Sequence, residues 1–175
     1  MHTTLILFAL KNTDLQLLGI PMTASHYQML NPILILLIGS QLPRLYKRLP
    51  SFSIPYQFST GVLLGGAAFL VLAYACFTSD STYVNGNYLG LAYIIISIAE
   101  LLVSAIGLSM IGLLCDESMI GLAMGVWFFA SAMAHIISGH IAQFSASPQT
   151  IDNAQQSLLI YEHYFNRLGI SCIVL

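Results

Sequence analysis

The sequence predicts an all-α membrane protein with about four full transmembrane helices and a partial helix at each end. Two observations lead to this fold class. Of the 175 residues, 57% are hydrophobic and only 7% are charged, whereas a soluble globular domain is typically about 25% charged. The apolar residues also gather in long segments, and a helix needs roughly 20 of them to cross a bilayer. Low-complexity disorder does not explain the low charge, because it requires few apolar residues.

Five long apolar segments make residues 1–175 a single integral membrane region. The predicted helices cover residues 24–49, 56–78, 88–114, 119–144 and 161–175. About 14 residues in the last helix make only about 21 Å, which is short of the roughly 30 Å hydrocarbon core. The apolar stretch in the N-terminal MHTTLILFAL is also too short to span. We therefore expect truncated spans at both ends.

Pro32 divides the first segment, whose strongly apolar stretch covers only residues 33–38. A helix that crosses the membrane must begin upstream and continue through Pro32, where one backbone hydrogen bond is lost and the helix kinks. In the alternative, the helix begins with Asn31 as its N-cap and Pro32 as its first residue. We favour the continuous helix, because the alternative leaves too short a span.

Basic residues in short loops predict the orientation. Arg44, Lys47 and Arg48 lie between the first and second segments. The loops between the second and third and between the fourth and fifth segments hold no Lys or Arg if Arg167 belongs to the last segment. The turn between the third and fourth segments has Asp116 and Glu117 and no basic residue, so it gives no support either way. Basic residues favour the cytoplasmic side of a membrane. The loop of residues 43–50 is therefore predicted to be cytoplasmic.

Glu100 lies at the centre of the third segment and is the most informative residue. An ionisable residue at mid-membrane depth is costly and indicates a functional site by default. Desolvation favours a neutral acid and a nearby cation favours a carboxylate, so such a group can exchange a proton for a substrate ammonium. A structural hydrogen bond to another helix is the alternative. One helical face carries a polar and small stripe with this residue: Tyr93, Ser97, Glu100, Ser104 and Gly107.

The neighbouring segments carry signals of helix packing. Two glycine pairs at a spacing of four permit close helix contact: Gly61 with Gly65, and Gly121 with Gly125. Trp127, the only tryptophan, lies about eight residues inside its segment, whereas interfacial tryptophans occur at helix ends. It therefore fits a pocket wall and a core position equally well.

Several kinds of chemistry find no support in the pattern. No nucleophile is paired with a base, so we expect no enzyme and no cofactor, and no basic run suits a nucleic acid. His135 and His140 lie roughly 140° apart on a helix, whereas two metal ligands on one face need a spacing of four. We therefore expect no metal. The three cysteines are odd in number and lie far apart, which is the pattern of neither a disulfide framework nor a zinc site.

Several strings resemble the proton-dependent oligopeptide transporter (POT) family of the major facilitator superfamily. The string around Glu100, SIAELLVSAIGLSM, resembles the tenth helix of that family, and GLAMGVWFFASAMAHIISGHIA resembles the eleventh. YQMLNPILILL resembles the eighth. TTLILFALKNTDLQLLGIPM is similar to the end of the seventh and the following loop, and YEHYFNRLGI is similar to the start of the twelfth. The resemblance implies the C-terminal half of a major-facilitator-type transporter.

The resemblance also implies a function and a site. Such a protein carries di- and tripeptides with protons across the inner or plasma membrane, and its site lies between two six-helix halves in the lipid bilayer. The residue matching Glu100 receives the peptide amino terminus and takes part in proton coupling. The implied pocket residues are Asn31, Ser104, Trp127 and Phe128.

The chain also departs from the family pattern. Many members have proline at Ala105 and asparagine near His135, and Asp116 and Glu117 stand where basic residues are expected. The N-terminal half is absent, so we expect it as a missing partner and expect the chain alone not to transport. The alternative is a small multi-pass membrane protein, either an interaction partner or a non-functional remnant.

Overall fold

The computed structural model describes residues 2–48, 54–79, 83–145 and 154–174. Six helices account for most of this part of the chain: α1 (His2–Asn12), α2 (Ala24–Arg48), α3 (Ile54–Thr78), α4 (Gly86–Leu114), α5 (Ile120–Ser145) and α6 (Ala154–Val174). Four two-residue strands lie in the loops: β1 (Thr13–Asp14), β2 (Gln16–Leu17), β3 (Ile20–Pro21) and β4 (Val84–Asn85). The predicted all-α membrane class is confirmed.

Within the described ranges, three helices are long and apolar enough to cross a membrane, rather than the expected four. They are Pro55–Thr78, Gly86–Leu114 and Ile120–His140. The helix α2 has 25 residues, or about 37 Å, so it is long enough to cross a membrane. It differs from the three spanning candidates in being less apolar. Polar residues such as Gln28 and Asn31 lower its hydropathy, and Asn31 is buried inside the protein. The helix is continuous through Pro32.

The last helix is longer than the sequence predicts. It begins at Ala154, seven residues before the predicted start at 161, and its 21 residues make about 31 Å. The prediction was wrong because the first turn reads AQQS and carries no apolar signal. Ser157 in that turn is buried and donates a hydrogen bond of 2.6 Å to Asn12 Oδ1 at the end of α1. A polar contact therefore fixes the start of this helix.

Small residues let α3 approach its neighbours closely. A Cβ added at Gly61 would lie 2.8 Å from Val103 Cγ2 of α4, and one added at Gly66 would lie 3.0 Å from the Gly169 carbonyl oxygen of α6. Both distances are shorter than a normal carbon contact, so the helix backbones come together where side chains are missing. The Gly61 position agrees with the predicted glycine pair in this segment.

Aromatic rings fill the core between α1, α3 and α6. Phe8 meets Tyr161 and Phe165 edge to face, with ring centroids 5.2 Å apart in each case. Phe69 stacks on Phe165 at 6.0 Å. Such offset and edge-to-face pairs suit the quadrupoles of aromatic rings. Phe165 of α6 thus contacts both Phe8 of α1 and Phe69 of α3, and these rings link the three helices.

The loop between α1 and α2 is attached to the start of α4. The strand β1 pairs in parallel with β4, and β2 and β3 form a hairpin. Asn85 caps α4 by accepting a hydrogen bond of 2.9 Å from the backbone N–H of Asn87, which is a favoured role for asparagine. Asn87 Oδ1 in turn accepts one of 2.8 Å from the backbone N–H of Leu18. These contacts fix the end of the helix that carries Glu100.

In contrast, α5 has few contacts with the rest of the described structure. None of its residues between Ile120 and His140 is fully buried. A Cβ added at Gly121 or Gly125 would meet no atom within 4 Å. The close helix contact expected from this glycine pair is therefore absent among the described residues, and the small face of α5 stays open.

Candidate functional site

The side chains of Asn31 and Glu100 join α2 to α4. Asn31 Nδ2 donates a hydrogen bond of 3.0 Å to Glu100 Oε2. Ser97 Oγ lies 2.6 Å from Asn31 Oδ1 and 2.7 Å from the Tyr93 carbonyl oxygen. A hydroxyl has one hydrogen, so Ser97 donates to one of these oxygens at a time. The amide of Asn31 thus uses its oxygen toward Ser97 and its nitrogen toward the carboxylate.

This network fixes one side of the carboxylate and leaves the other available. Asn31 and Ser97 are buried, whereas Glu100 is half-buried. In the described ranges, no Lys or Arg side chain forms an ion pair with Glu100, and its hydrogen bond with Asn31 uses Oε2 alone. A buried carboxylate without a cation is costly. The half-buried carboxylate of Glu100, with one oxygen held by Asn31, can therefore accept a cationic ligand at its other oxygen.

Glu100 lines a partly open cavity of about 420 Å³, to which α1, α3, α4, α5 and α6 contribute residues. Ser104 follows one turn later on the same wall, and His135 and Ser138 of α5 line it too. The remaining wall is mostly apolar, with residues such as Leu5 and Phe69. A pocket of this kind, with a few polar groups in an apolar wall, is typical of small-molecule sites.

The structure brings some of the predicted site residues together and separates others. Asn31 contacts Glu100 directly, and Glu100 shares the cavity with Ser104. Trp127 is half-buried, and its ring lies against α4 at Gly107. The side chain of Phe128 is 59% exposed and is not among the residues that line this cavity.

His135 lines the cavity, as does Ser138, but the sequence analysis assigned neither of them to the site. His135 follows Phe128 by seven residues and so lies on the same face of α5, but nothing in the sequence relates that face to Glu100. The relation depends on how α5 lies beside α4, which is a tertiary feature. A polar residue in the middle of an apolar segment was the available signal.

The positions of the basic residues bear on the predicted orientation in the membrane. Arg44 lies in the last turns of α2, where Nη1 donates a hydrogen bond of 2.7 Å to Gln41 Oε1. The side chains of Lys47 and Arg48 and residues 49–53 lie outside the described structure. Arg167 lies within α6, which was the condition for the predicted orientation.

Comparisons with known proteins agree on one family. The model of the POT family (PTR2) matches residues 1–159. Dipeptide and tripeptide permease A of Serratia proteamaculans is 37% identical over 177 aligned positions, and that of Salmonella typhimurium is 35% identical. Each alignment covers 100% of this chain and 35% of the relative. The chain thus spans about a third of the length of these relatives.

Solved structures give the same result. The tetrameric transporter PepTSo2 superposes with a TM-score of 0.80 at 31% identity, over 98% of this chain and 36% of its own. A POT family transporter in complex with a thioalcohol-conjugated peptide superposes with a TM-score of 0.82 at 25% identity, over 98% of this chain and 34% of its own.

Proposed function

This chain belongs to the POT family. From that membership we propose that it supplies the part of a transport site that contains Glu100, and that the complete site carries di- and tripeptides in a proton-coupled manner. Curated relatives carry the name dipeptide and tripeptide permease, and one solved relative holds a peptide conjugate. The observation that carries the proposal is the carboxylate of Glu100, which Asn31 holds at the wall of an apolar cavity.

The proposed chemistry is an exchange of cations at one carboxylate. Asn31 holds Oε2, so the free oxygen of Glu100 receives either a proton or the amino terminus of a peptide. An ammonium loses its hydration on entering an apolar cavity, and a carboxylate offsets that cost better than a neutral acceptor does. Binding of the peptide ammonium therefore requires the ionised carboxylate, and a proton carried together with the peptide must be held by another group of the complete transporter. The hydroxyl of Ser104 adds a neutral donor and acceptor one turn away.

We assign the aromatic residues Trp127 and Phe128 to the peptide side chains. Both lie on α5, whose apolar side chains are largely exposed among the described residues. Phe128 projects from this helix, and a second half of the transporter would cover it. Alternating access in such transporters requires two halves that move about a shared site. We therefore propose that the chain works with a segment matching the remaining part of its relatives.

The proposed location is the inner or plasma membrane, with residues 43–50 on the cytoplasmic side. Three apolar helices support membrane insertion. The sequence places Arg44, Lys47 and Arg48 near this loop, and cytoplasmic loops carry an excess of such residues. With this orientation, α4 runs from the outside to the inside.

A chimera tests the proposal. Residues 1–175 replace the matching third of the Serratia proteamaculans permease, and uptake of a labelled dipeptide is measured in liposomes under an inward proton gradient. We expect uptake by the chimera and none by the chain alone. The chain alone is the matched negative control, because it carries the same site without the second half.

Two outcomes would contradict the proposal. A chimera that is folded and inserted, but neither transports nor is stabilised by a dipeptide in thermal unfolding, would favour the small membrane protein without transport. Ligand binding to a folded state raises its unfolding temperature, so this second measurement separates lost binding from lost movement. Uptake by the chain alone would show that it needs no second half.

A further inference from the structure

The indole of Trp127 lies on the backbone of α4 where Gly107 has no side chain. A Cβ added at Gly107 would overlap Trp127 Cη2 and would lie 2.6 Å from Cζ2 and 2.9 Å from Cζ3. Three ring atoms of one residue thus occupy the space that any other residue at this position would need. Gly107 itself is buried, so this contact is part of the packed interior.

This contact matters because so little else holds α5 in the described structure. No residue of α5 from Ile120 to His140 is fully buried. A Cβ added at Gly121 or Gly125 would have no atom within 4 Å. Trp127 is the largest side chain of the helix, and its ring is the part that reaches α4. The absence of a side chain at Gly107 therefore determines how closely α4 and α5 approach there.

The contact also lies at a defined distance from Glu100. Gly107 follows Glu100 by seven residues, which is two helical turns on the same face, or about 10.5 Å along the axis. Three residues of extended chain span about 10–11 Å. The cavity at Glu100 is lined by α4 residues as far as Ser104. If a peptide with its amino terminus at Glu100 continues along α4 beyond this point, its third residue falls beside the indole.

We propose that Gly107 is a positioning residue for Trp127 and thereby sets the far end of the peptide site. The inference rests on the proposed function for its meaning, but the contact itself can be measured without transport. A methyl group at Gly107 moves the indole away from α4 and toward the space beside it. The site is then altered at the end opposite to Glu100, where only the longer peptides reach.

The first experiment uses the 175-residue chain in detergent and its single tryptophan. The variant is Gly107→Ala and the matched control is Gly112→Ala, on the same helix, where an added Cβ meets nothing within 4 Å. We expect a shifted emission maximum and stronger quenching by acrylamide for Gly107→Ala, and wild-type values for Gly112→Ala. Wild-type fluorescence in both variants would overturn the proposal.

Folding is controlled separately. If Gly107→Ala loses its helical circular dichroism, the double variant Gly107→Ala/Trp127→Leu removes the overlapping ring and should restore it. Failure of the double variant to fold would contradict the assigned contact, because the damage would then not involve the ring.

The second experiment measures transport by the chimera at matched expression. We expect Gly107→Ala to raise KM more for a tripeptide than for a dipeptide while the maximal rate stays near wild type, and Gly112→Ala to change neither. An equal loss for both peptides, or a fall in maximal rate alone, would refute the role in positioning. If the parent chimera does not transport, the proposed function fails, and the fluorescence result still decides whether Gly107 holds Trp127.

Discussion

Replacing Glu100 by glutamine separates its proposed role in binding from a role in structure. Glutamine keeps the length of the side chain and an oxygen that can accept the 3.0 Å hydrogen bond from Asn31 Nδ2. It carries no charge and releases no proton. The loss of a hydrogen bond to a charged group costs about 1.5–3 kcal/mol, which corresponds to roughly tenfold to a hundredfold weaker binding of a peptide ammonium. Proton-driven uptake should be abolished.

The assay is uptake of a labelled dipeptide by the chimera under a proton gradient, with peptide exchange measured in the absence of a gradient. Glu117→Gln is the matched control, because it is the same substitution at an exposed position in the turn between α4 and α5. The unfolding temperature of Glu100→Gln should stay close to that of wild type, since the bond to Asn31 persists. Near-wild-type uptake by Glu100→Gln would refute the electrostatic argument and leave Glu100 as a structural link between helices.

Two further predictions concern stability, measured by thermal unfolding of the chain in detergent. Asn31→Leu removes the donor to Glu100 within a buried site and should cost about 1–3 kcal/mol; an unchanged unfolding temperature would show that the network is not needed. Gly66→Ala places a Cβ 3.0 Å from the Gly169 carbonyl oxygen, whereas Gly121→Ala meets nothing within 4 Å. The first should be less stable than the second by about 1–3 kcal/mol, and equal stability would contradict the close approach of α3 and α6.

The sequence predicts a membrane protein because each apolar segment contributes its own evidence for a membrane-spanning helix. Each apolar segment is long enough to form its own hydrogen bonds inside a bilayer, so composition alone indicates the helices. The start of α6 shows the limit of this approach. Its polar first turn contains Ser157, which bonds to Asn12, and that partner lies 145 residues earlier. No local pattern carries such information.

Some residues of the candidate site can be identified from local sequence patterns, and others only from tertiary structure. The isolated acid at mid-segment identifies Glu100, and helical periodicity places Ser97 and Ser104 with it. The partner of the acid could not be found this way, because Asn31 lies on another helix, 69 residues away. The resemblance to a known family supplied Asn31 as a pocket residue, and the bond to Glu100 came from the structure. His135 entered the cavity only through the packing of α5.

Leu18 has a backbone conformation that its sequence does not predict, and a substitution there can test it. The hairpin of β2 and β3 turns through Leu18 and Gly19, which have φ values of 52° and 82°. A two-residue turn with positive φ at both positions favours Asn-Gly, and an L-residue with a branched side chain is costly there. The side chain of Leu18 is 82% exposed, so its removal loses little packing. Leu18→Asn should therefore raise the free energy of unfolding by about 1 kcal/mol. Leu10→Asn, at an exposed helical position, is the control and should bring no gain. A loss of stability in Leu18→Asn would mean that Leu18 makes a contact worth more than its backbone strain.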